Sequence, residues 1–175
     1  MSLGPPPFNI RLSQGQTGDW TGILKSPSHT MQLGMALSRE LRGGEVLTLV
    51  GDLGAGKTCL VRGLAQGLGI SEEEVTSPTF TVIQEYRSQP TLVHVDLYRL
   101  ESGREIDDIG LSSYFDHDYV VVIEWADRLT FAQLPLDRLE LHLTHKSRYT
   151  RGLHLRAFGT RSQDLLHDLL DSQRK

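Results

Sequence analysis

Cysteine is almost missing from this chain: the single thiol, Cys59, among 175 residues excludes an internal disulfide. The histidines and acids show no zinc-ligand spacing either. Positive charge is not in excess. Eighteen Lys and Arg stand against 22 Asp and Glu, and the resulting -4 gives no general attraction to nucleic acid or an anionic membrane. Contact with RNA is therefore expected to be local or made through partners. Long apolar runs are missing too. The two richest, Val46–Val50 and Tyr119–Ile123, have the length of core strands and fall far short of a bilayer span, so no membrane association is expected. The opening residues, MSLGPPPFNI, carry neither a basic leader nor an apolar segment. No Sec-type signal is read there, and the expected location is the cytoplasm. What remains, 38% hydrophobic and 23% charged, has the balance of a globular chain long enough to bury a core.

Residues 1–20 are rich in Pro, Gly, Ser and Gln and are expected to form a loose arm, with only Phe8–Leu12 strand-like; residues 21–175 are expected to form one domain. A short strand around Ile23 and Leu24 precedes Ser28, a candidate helix cap. Met31, Leu33, Met35, Leu37 and Leu41 then give the helix an apolar face, and Gly43-Gly44 ends it. Val46–Val50 leads through a glycine-rich turn into a helix carrying Leu60, Val61, Leu64 and Leu68. Phe80–Tyr86 and Leu92–Val95 read as two strands joined by a short turn, and residues 101–118 as short helices in an acidic stretch. The β-branched run Tyr119–Ile123 has the signature of a strand buried on both faces. Leu139-Leu141-Leu143 and Leu153-Leu155-Ala157 alternate across the basic segment Lys146–Arg151, which predicts a hairpin. Thr160-Arg161-Ser162-Gln163 has capping-box spacing ahead of a helix striped by Leu165, Leu166, Leu169 and Leu170. The expected class is α/β: a P-loop NTPase-like sheet flanked by helices, with a more antiparallel C-terminal part.

Chemistry concentrates first in Gly51-Asp52-Leu53-Gly54-Ala55-Gly56-Lys57-Thr58, a full G-x-x-x-x-G-K-[ST] between a predicted buried strand and a predicted helix. Glycines let backbone N–H groups wrap a phosphate closely, and the helix start adds unpaired N–H groups and the positive end of its dipole. Lys57 would meet the β and γ phosphates and Thr58 the Mg²⁺ ion, while Cys59 reads as a helix-start residue rather than a nucleophile. Such a loop needs a carboxylate at the end of a neighbouring strand. Glu124 and Asp96 are the candidates, the first to hold Mg²⁺ and the second to hold a metal-bound water or orient the attacking one. Either could instead cap its strand or pair with an arginine, Arg99 in the case of Asp96. Thr79, in Ser77-Pro78-Thr79-Phe80, sits where a γ-phosphate sensor would stand; the competing reading is a proline turn with a buried Phe. Trp125 is either core or a platform beside the nucleotide. His94 shares a strand face with Asp96 and is either a structural histidine or a proton-transfer group. The basic residues from Lys146 to Arg156 form either a solvated face or a reach toward triphosphate or RNA.

The sequences GDLGAGKT, SPTF, HVDLYRL and IEWAD, in this order and spacing, resemble the bacterial ATPase family of the tRNA threonylcarbamoyladenosine pathway, from about Ser28 to about Phe158. The resemblance implies a small P-loop protein that binds ATP with Mg²⁺ and hydrolyses it slowly. It also implies a heterodimeric partner, the threonylcarbamoyl transferase with its inactive paralogue, and contact with tRNA mainly through that complex. The modification falls on the adenosine beside the anticodon of tRNAs reading ANN codons, and the ATP cycle supports turnover of the complex. On the matching positions it implies that Gly54, Ala55, Gly56, Lys57, Thr58 and Cys59 hold phosphates and that Thr58 with Glu124 holds Mg²⁺. Lys57, Asp96 and Glu124 are the implied catalytic residues, with Thr79 and Trp125 close to the nucleotide, Thr30 near the adenine end, and Arg151 reaching the nucleotide. Two places depart from the family pattern. Cys59 stands where a second Thr is frequent, and Ala126-Asp127 where a Pro-Glu or Ser-Glu follows the Glu-Trp pair.

Two other readings stay open at this stage. A small-molecule kinase would need an acceptor pocket and an arginine-rich lid, for which the net acidic stretch 101–118 is a poor candidate. A nucleotide-gated binding module would use the same loop without needing hydrolysis. The base-reading N-K-x-D of GTPases is absent, which favours ATP.

Overall fold

The computed structural model describes residues 10–15, 18–115 and 118–172. Eight strands form one sheet: β1 (Leu12–Gln14), β2 (Trp20–Leu24), β3 (Val46–Val50), β4 (Ile83–Tyr86), β5 (Leu92–Asp96), β6 (Val120–Glu124), β7 (Arg138–His145) and β8 (Arg151–Phe158). Their spatial order is β1-β2-β8-β7-β3-β6-β5-β4. The four central strands, β7-β3-β6-β5, run parallel, and every pairing outside them is antiparallel. This is the expected α/β sheet with its more antiparallel C-terminal part. β5 and β6 are buried along their whole length, as a parallel strand covered on both faces must be.

One face packs on α1 (Pro27–Ser38), α2 (Lys57–Gly67) and α4 (Thr160–Ser172), through Leu33, Leu37, Leu60, Leu64 and Leu169 against Leu47, Leu49 and Leu141. The other face covers Val93, Val95, Val121 and Ile123 with Ile106 of α3 (Gly103–Asp108), Leu111 and Leu129. Glycine governs how α1 meets α2. A methyl group at Gly34 would overlap the backbone of Leu60 and Leu64, and one at Gly63 would overlap the backbone of Met31. The two helices therefore touch main chain to main chain. No described helix is long and apolar enough to cross a membrane.

Three local expectations are corrected. The arm over 1–20 is not loose where it is described: Leu12–Gln14 pair with Trp20–Gly22, and Ile10 is buried in the core. Phe8 and Asn9 of the expected first strand lie outside the described residues. The cap of α1 is Ser26 rather than Ser28, its side chain accepting from His29 N at 3.2 Å with Pro27 at the first helical position. The capping box proposed at Thr160–Gln163 gives way to a long-range cap. Asp137 accepts from Arg161 N and Ser162 N, each at 2.9 Å, and from the Ser162 hydroxyl at 2.7 Å. Asp137 lies just before β7, so the cap pins the last helix to the hairpin it covers. Asp137→Ala is expected to cost about 1 to 2 kcal/mol, the range of a lost helix cap. A urea-unfolding midpoint equal to the parent's would show that α4 does not depend on this residue.

Candidate nucleotide-binding site

The central strands all end at the same edge of the sheet, where α/β proteins place their ligands. β3 delivers the chain into the loop 51–56, and α2 begins directly after it. Gly51, Gly54 and Gly56 have φ of 153°, 74° and 106°. The last two lie in the left-handed region that side chains resist, and a Cβ at Gly51 would overlap the carbonyl of Leu143. Gly56 caps α2 without any side-chain hydrogen bond, so the first-turn N–H groups are left for another acceptor. A glycine cradle in front of an uncapped helix start fits an anion with several oxygens.

Residues 53–59 of this loop and helix, apart from Ala55, line a cavity of about 390 Å³ together with Ser77, Thr79, Asp96, Tyr98, Glu124 and Trp125. Lys57 is nearly buried. Its Nζ donates to the carbonyls of Gly51 at 2.5 Å and Asp52 at 3.0 Å and lies 3.7 Å from the centre of the Trp125 ring. Burial pulls its pKa below the ordinary lysine value, opposed in part by the charges of Glu124, Asp127, Asp96 and Asp52. Thr58 Oγ1 donates to Glu124 Oε2 at 3.0 Å, joining the helix start to the end of β6. The other carboxylate oxygen, Oε1, meets His94 Nε2 at 2.8 Å, and His94 is wholly buried. Asp96, at the end of β5, accepts from Thr79 Oγ1 at 2.8 Å, from Ser77 Oγ, and from Tyr98 N at 2.9 Å.

Nine of the expected residues thus meet in one cavity wall or its support: Gly54, Gly56, Lys57, Thr58, Cys59, Thr79, Asp96, Glu124 and Trp125. Ala55, Thr30 and Arg151 stand elsewhere. Ala55 turns its methyl into the core. Thr30, buried in α1, would be 3.6 Å from a methyl placed on Gly56, so it backs the loop. Arg151 donates to the carbonyls of Ala55 at 3.1 Å and Gly54 at 3.0 Å, so its guanidinium braces the glycine turn. Two alternatives from the sequence are settled against. Arg99 does not pair with Asp96; it lies 3.9 Å over the Phe80 ring. Phe80 is not a buried turn residue, being 82% exposed beside Thr79.

Ser77 and Tyr98 were not anticipated as site residues. Both flank positions that were, Ser77 two residues before Thr79 and Tyr98 two after Asp96. Both lie inside the quoted motifs, Ser77 in SPTF and Tyr98 in HVDLYRL, which was the signal that could have found them. Lys146 lies apart from this cavity, in a second groove of about 790 Å³ on the β1-β2-β8-β7 sheet with Arg11, Lys25, His142 and His154.

No group of three or more His, Cys, Asp or Glu among the described residues forms a closed metal site. One hydroxyl and one carboxylate, Thr58 and Glu124, are what a magnesium ion needs when phosphate oxygens and water supply its other ligands. A strand, glycine loop and helix with a buried lysine, a threonine and a strand-end carboxylate define a P-loop nucleotide-binding protein. Within that class, residues 24–153 match the family described as "Threonylcarbamoyl adenosine biosynthesis protein TsaE". The chain belongs to the TsaE family, P-loop ATPases associated with the threonylcarbamoyladenosine modification of tRNA. It is 40% identical over 145 residues to the tRNA threonylcarbamoyladenosine biosynthesis protein TsaE of Bacillus subtilis, covering 82% of this chain and 89% of that one. The protein of the same name from Treponema pallidum is 45% identical over 113 residues, covering 65% and 82%. The crystal structure of Bacillus subtilis YdiB superposes with a TM-score of 0.73 at 31% identity, covering 93% of this chain and 98% of that one.

Cys59 lies in the first turn of α2, its thiol 3.4 Å from the carbonyl of Pro27. Burial raises its pKa above the ordinary thiol value, with Arg62 and Arg151 opposing. The thiolate is the reactive form, so Cys59 is expected to alkylate with iodoacetamide at pH 8 more slowly than a free cysteine, with a midpoint displaced to higher pH. A rate equal to that of free cysteine would contradict the burial argument.

Proposed function

We propose that the cavity binds ATP with Mg²⁺, that ATP is hydrolysed there slowly, and that this cycle drives turnover of a threonylcarbamoyl transferase and its inactive paralogue on tRNA. The observation that carries the reading is the Thr58–Glu124 hydrogen bond at the floor of a glycine cradle. It places one hydroxyl and one carboxylate together, and family membership supplies the pathway.

In this reading the N–H groups of Gly54 to Cys59 hold the phosphate oxygens, and Lys57 exchanges its two carbonyl partners for the β and γ phosphates. Thr58 and Glu124 hold the magnesium ion, which when bound offsets phosphate charge and polarises the transferred phosphoryl group. Asp96, fixed by three donors, accepts a hydrogen bond from the attacking water and orients it. Thr79 and Ser77 report a change at Asp96 to the exposed Phe80 next to them. Trp125 screens the lysine from solvent on one side. Arg151 acts through the loop carbonyls and keeps the cradle open; contact with the nucleotide itself is not part of its assigned role. The cytoplasm, where tRNA is modified, is the proposed location.

The test is multiple-turnover threonylcarbamoylation of tRNA by the reconstituted heterodimer with ATP and the enzyme that makes the carbamoyl-adenylate. Product is expected to stall after a single round without this chain and to continue with it. Lys57→Ala is expected to reduce the chain-dependent rate about 100-fold or more, as loss of a charged phosphate donor does. Full restoration of turnover by Lys57→Ala would remove ATP hydrolysis from the role and leave a docking function.

A further inference from the structure

His94 lies on β5 between Gln84 of β4 and Val122 of β6. Its neighbours Val93 and Val95 pack into the core on the far face, so its own side chain points, with those of Leu92 and Asp96, toward the face that carries α2. It is 0% exposed. Its ring makes a single polar contact, from Nε2 to Glu124 Oε1 at 2.8 Å, and Nδ1 is buried with no hydrogen-bond partner. A proton on Nδ1 would be an unsatisfied donor in a dry core, which is costly; a bare Nδ1 lone pair is the less costly state. Glu124 needs a donor on Oε1, because Oε2 is already engaged by Thr58 and the carboxylate is 2% exposed. The two requirements are met together by an imidazole protonated at Nε2 only.

We propose that His94 is a positioning residue for the magnesium site: through Nε2–H it donates to Glu124 Oε1 and fixes the carboxylate plane, so that Oε2 stays beside Thr58 at the cavity wall. The inference rests on the assignment of Glu124 to magnesium made above. It gives the histidine neither of the roles left open by the sequence. His94 lies behind Glu124 and outside the cavity lining, so it does not move a proton to or from substrate. It is also more than packing, since a leucine of similar volume would fill the space and leave Oε1 without a donor. Groups of this kind behind a metal ligand set the orientation and affinity of the site, and their removal costs 10- to 100-fold in metal binding.

The experiment compares the full-length parent, His94→Leu, His94→Gln and Glu124→Ala by calorimetric titration of ATP with and without Mg²⁺. The imidazole ¹⁵N shifts of the nucleotide-free parent are read alongside. His94→Leu is expected to keep its metal-free ATP affinity and to lose Mg²⁺ affinity about 10-fold or more, whereas His94→Gln, whose amide donates at similar reach, stays within about threefold of the parent. The ring of His94 is expected to carry a proton on Nε2. A folded His94→Leu with the parent's Mg²⁺ affinity, or a ring without a proton on Nε2, overturns the inference while leaving Glu124 in place. If the parent and Glu124→Ala respond to Mg²⁺ alike, the magnesium assignment itself falls, and this inference with it. Should His94→Leu fail to fold, the glutamine variant and the tautomer still decide: loss of Mg²⁺ affinity with glutamine refutes a role for the donor.

Discussion

A glutamate only 2% exposed cannot leave its carboxylate without donors, and Glu124 obtains two, one on each oxygen. Thr58 reaches it from the start of α2 and His94 from the adjacent strand. This shared carboxylate joins the glycine loop to the centre of the sheet, so the loop's position is set by the pairing of β3, β5 and β6 rather than by its own stiffness. The parallel strands end level with one another: Leu49 pairs with Glu124, and Glu124 with Asp96. Levelled strand ends bring both carboxylates into one wall. The loop is held from behind as well, because Arg151 on the hairpin draws in the carbonyls of Gly54 and Ala55 and leaves the N–H side to the cavity.

The site was legible where its determinants are short-range. The glycine loop is eight consecutive residues whose spacing states the backbone conformations required, and the strands before it and at Val120–Glu124 are unbroken apolar runs. The acids at strand ends followed from those runs. The placement of His94 on the same face as Asp96 followed from strand alternation, but its contact with Glu124 depends on which strand lies beside β5, and a single chain pattern does not encode that register. Arg151 was expected to reach the nucleotide; its guanidinium donates to the loop carbonyls of Gly54 and Ala55, and a long flexible cation reaches phosphate and carbonyl oxygens equally well.

The misread elements of the fold have different causes. Ser28 and Ser26 are both good caps, and the deciding feature was Pro27, which fits the first helical position and points to Ser26. The local pattern Thr160–Gln163 lost to Asp137, more than twenty residues away in the chain, because three donors converge on that one carboxylate. Phe8–Leu12 read as strand-like within an arm otherwise expected to be loose; the pairing falls on Leu12–Gln14, where β2 offered a free edge, and edge pairing asks little of a short sequence.

The main-chain contact of Gly34 and Gly63 with the facing helix has a mechanical corollary. Two helices separated by ordinary side chains can slide by rotamer changes, whereas helices whose backbones touch have no side-chain layer to absorb a shift. α1 is thereby a rigid extension of α2. In the proposed cycle, motion that carries the state of the nucleotide outward leaves by another route. The turn from Ser77 to Val82 is built for that. Its hydroxyls rest on Asp96, and its last residue, a valine at φ 66°, is held in a conformation that β-branched side chains resist. One side of the cavity is thus a fixed anvil, and the other is a spring already under load.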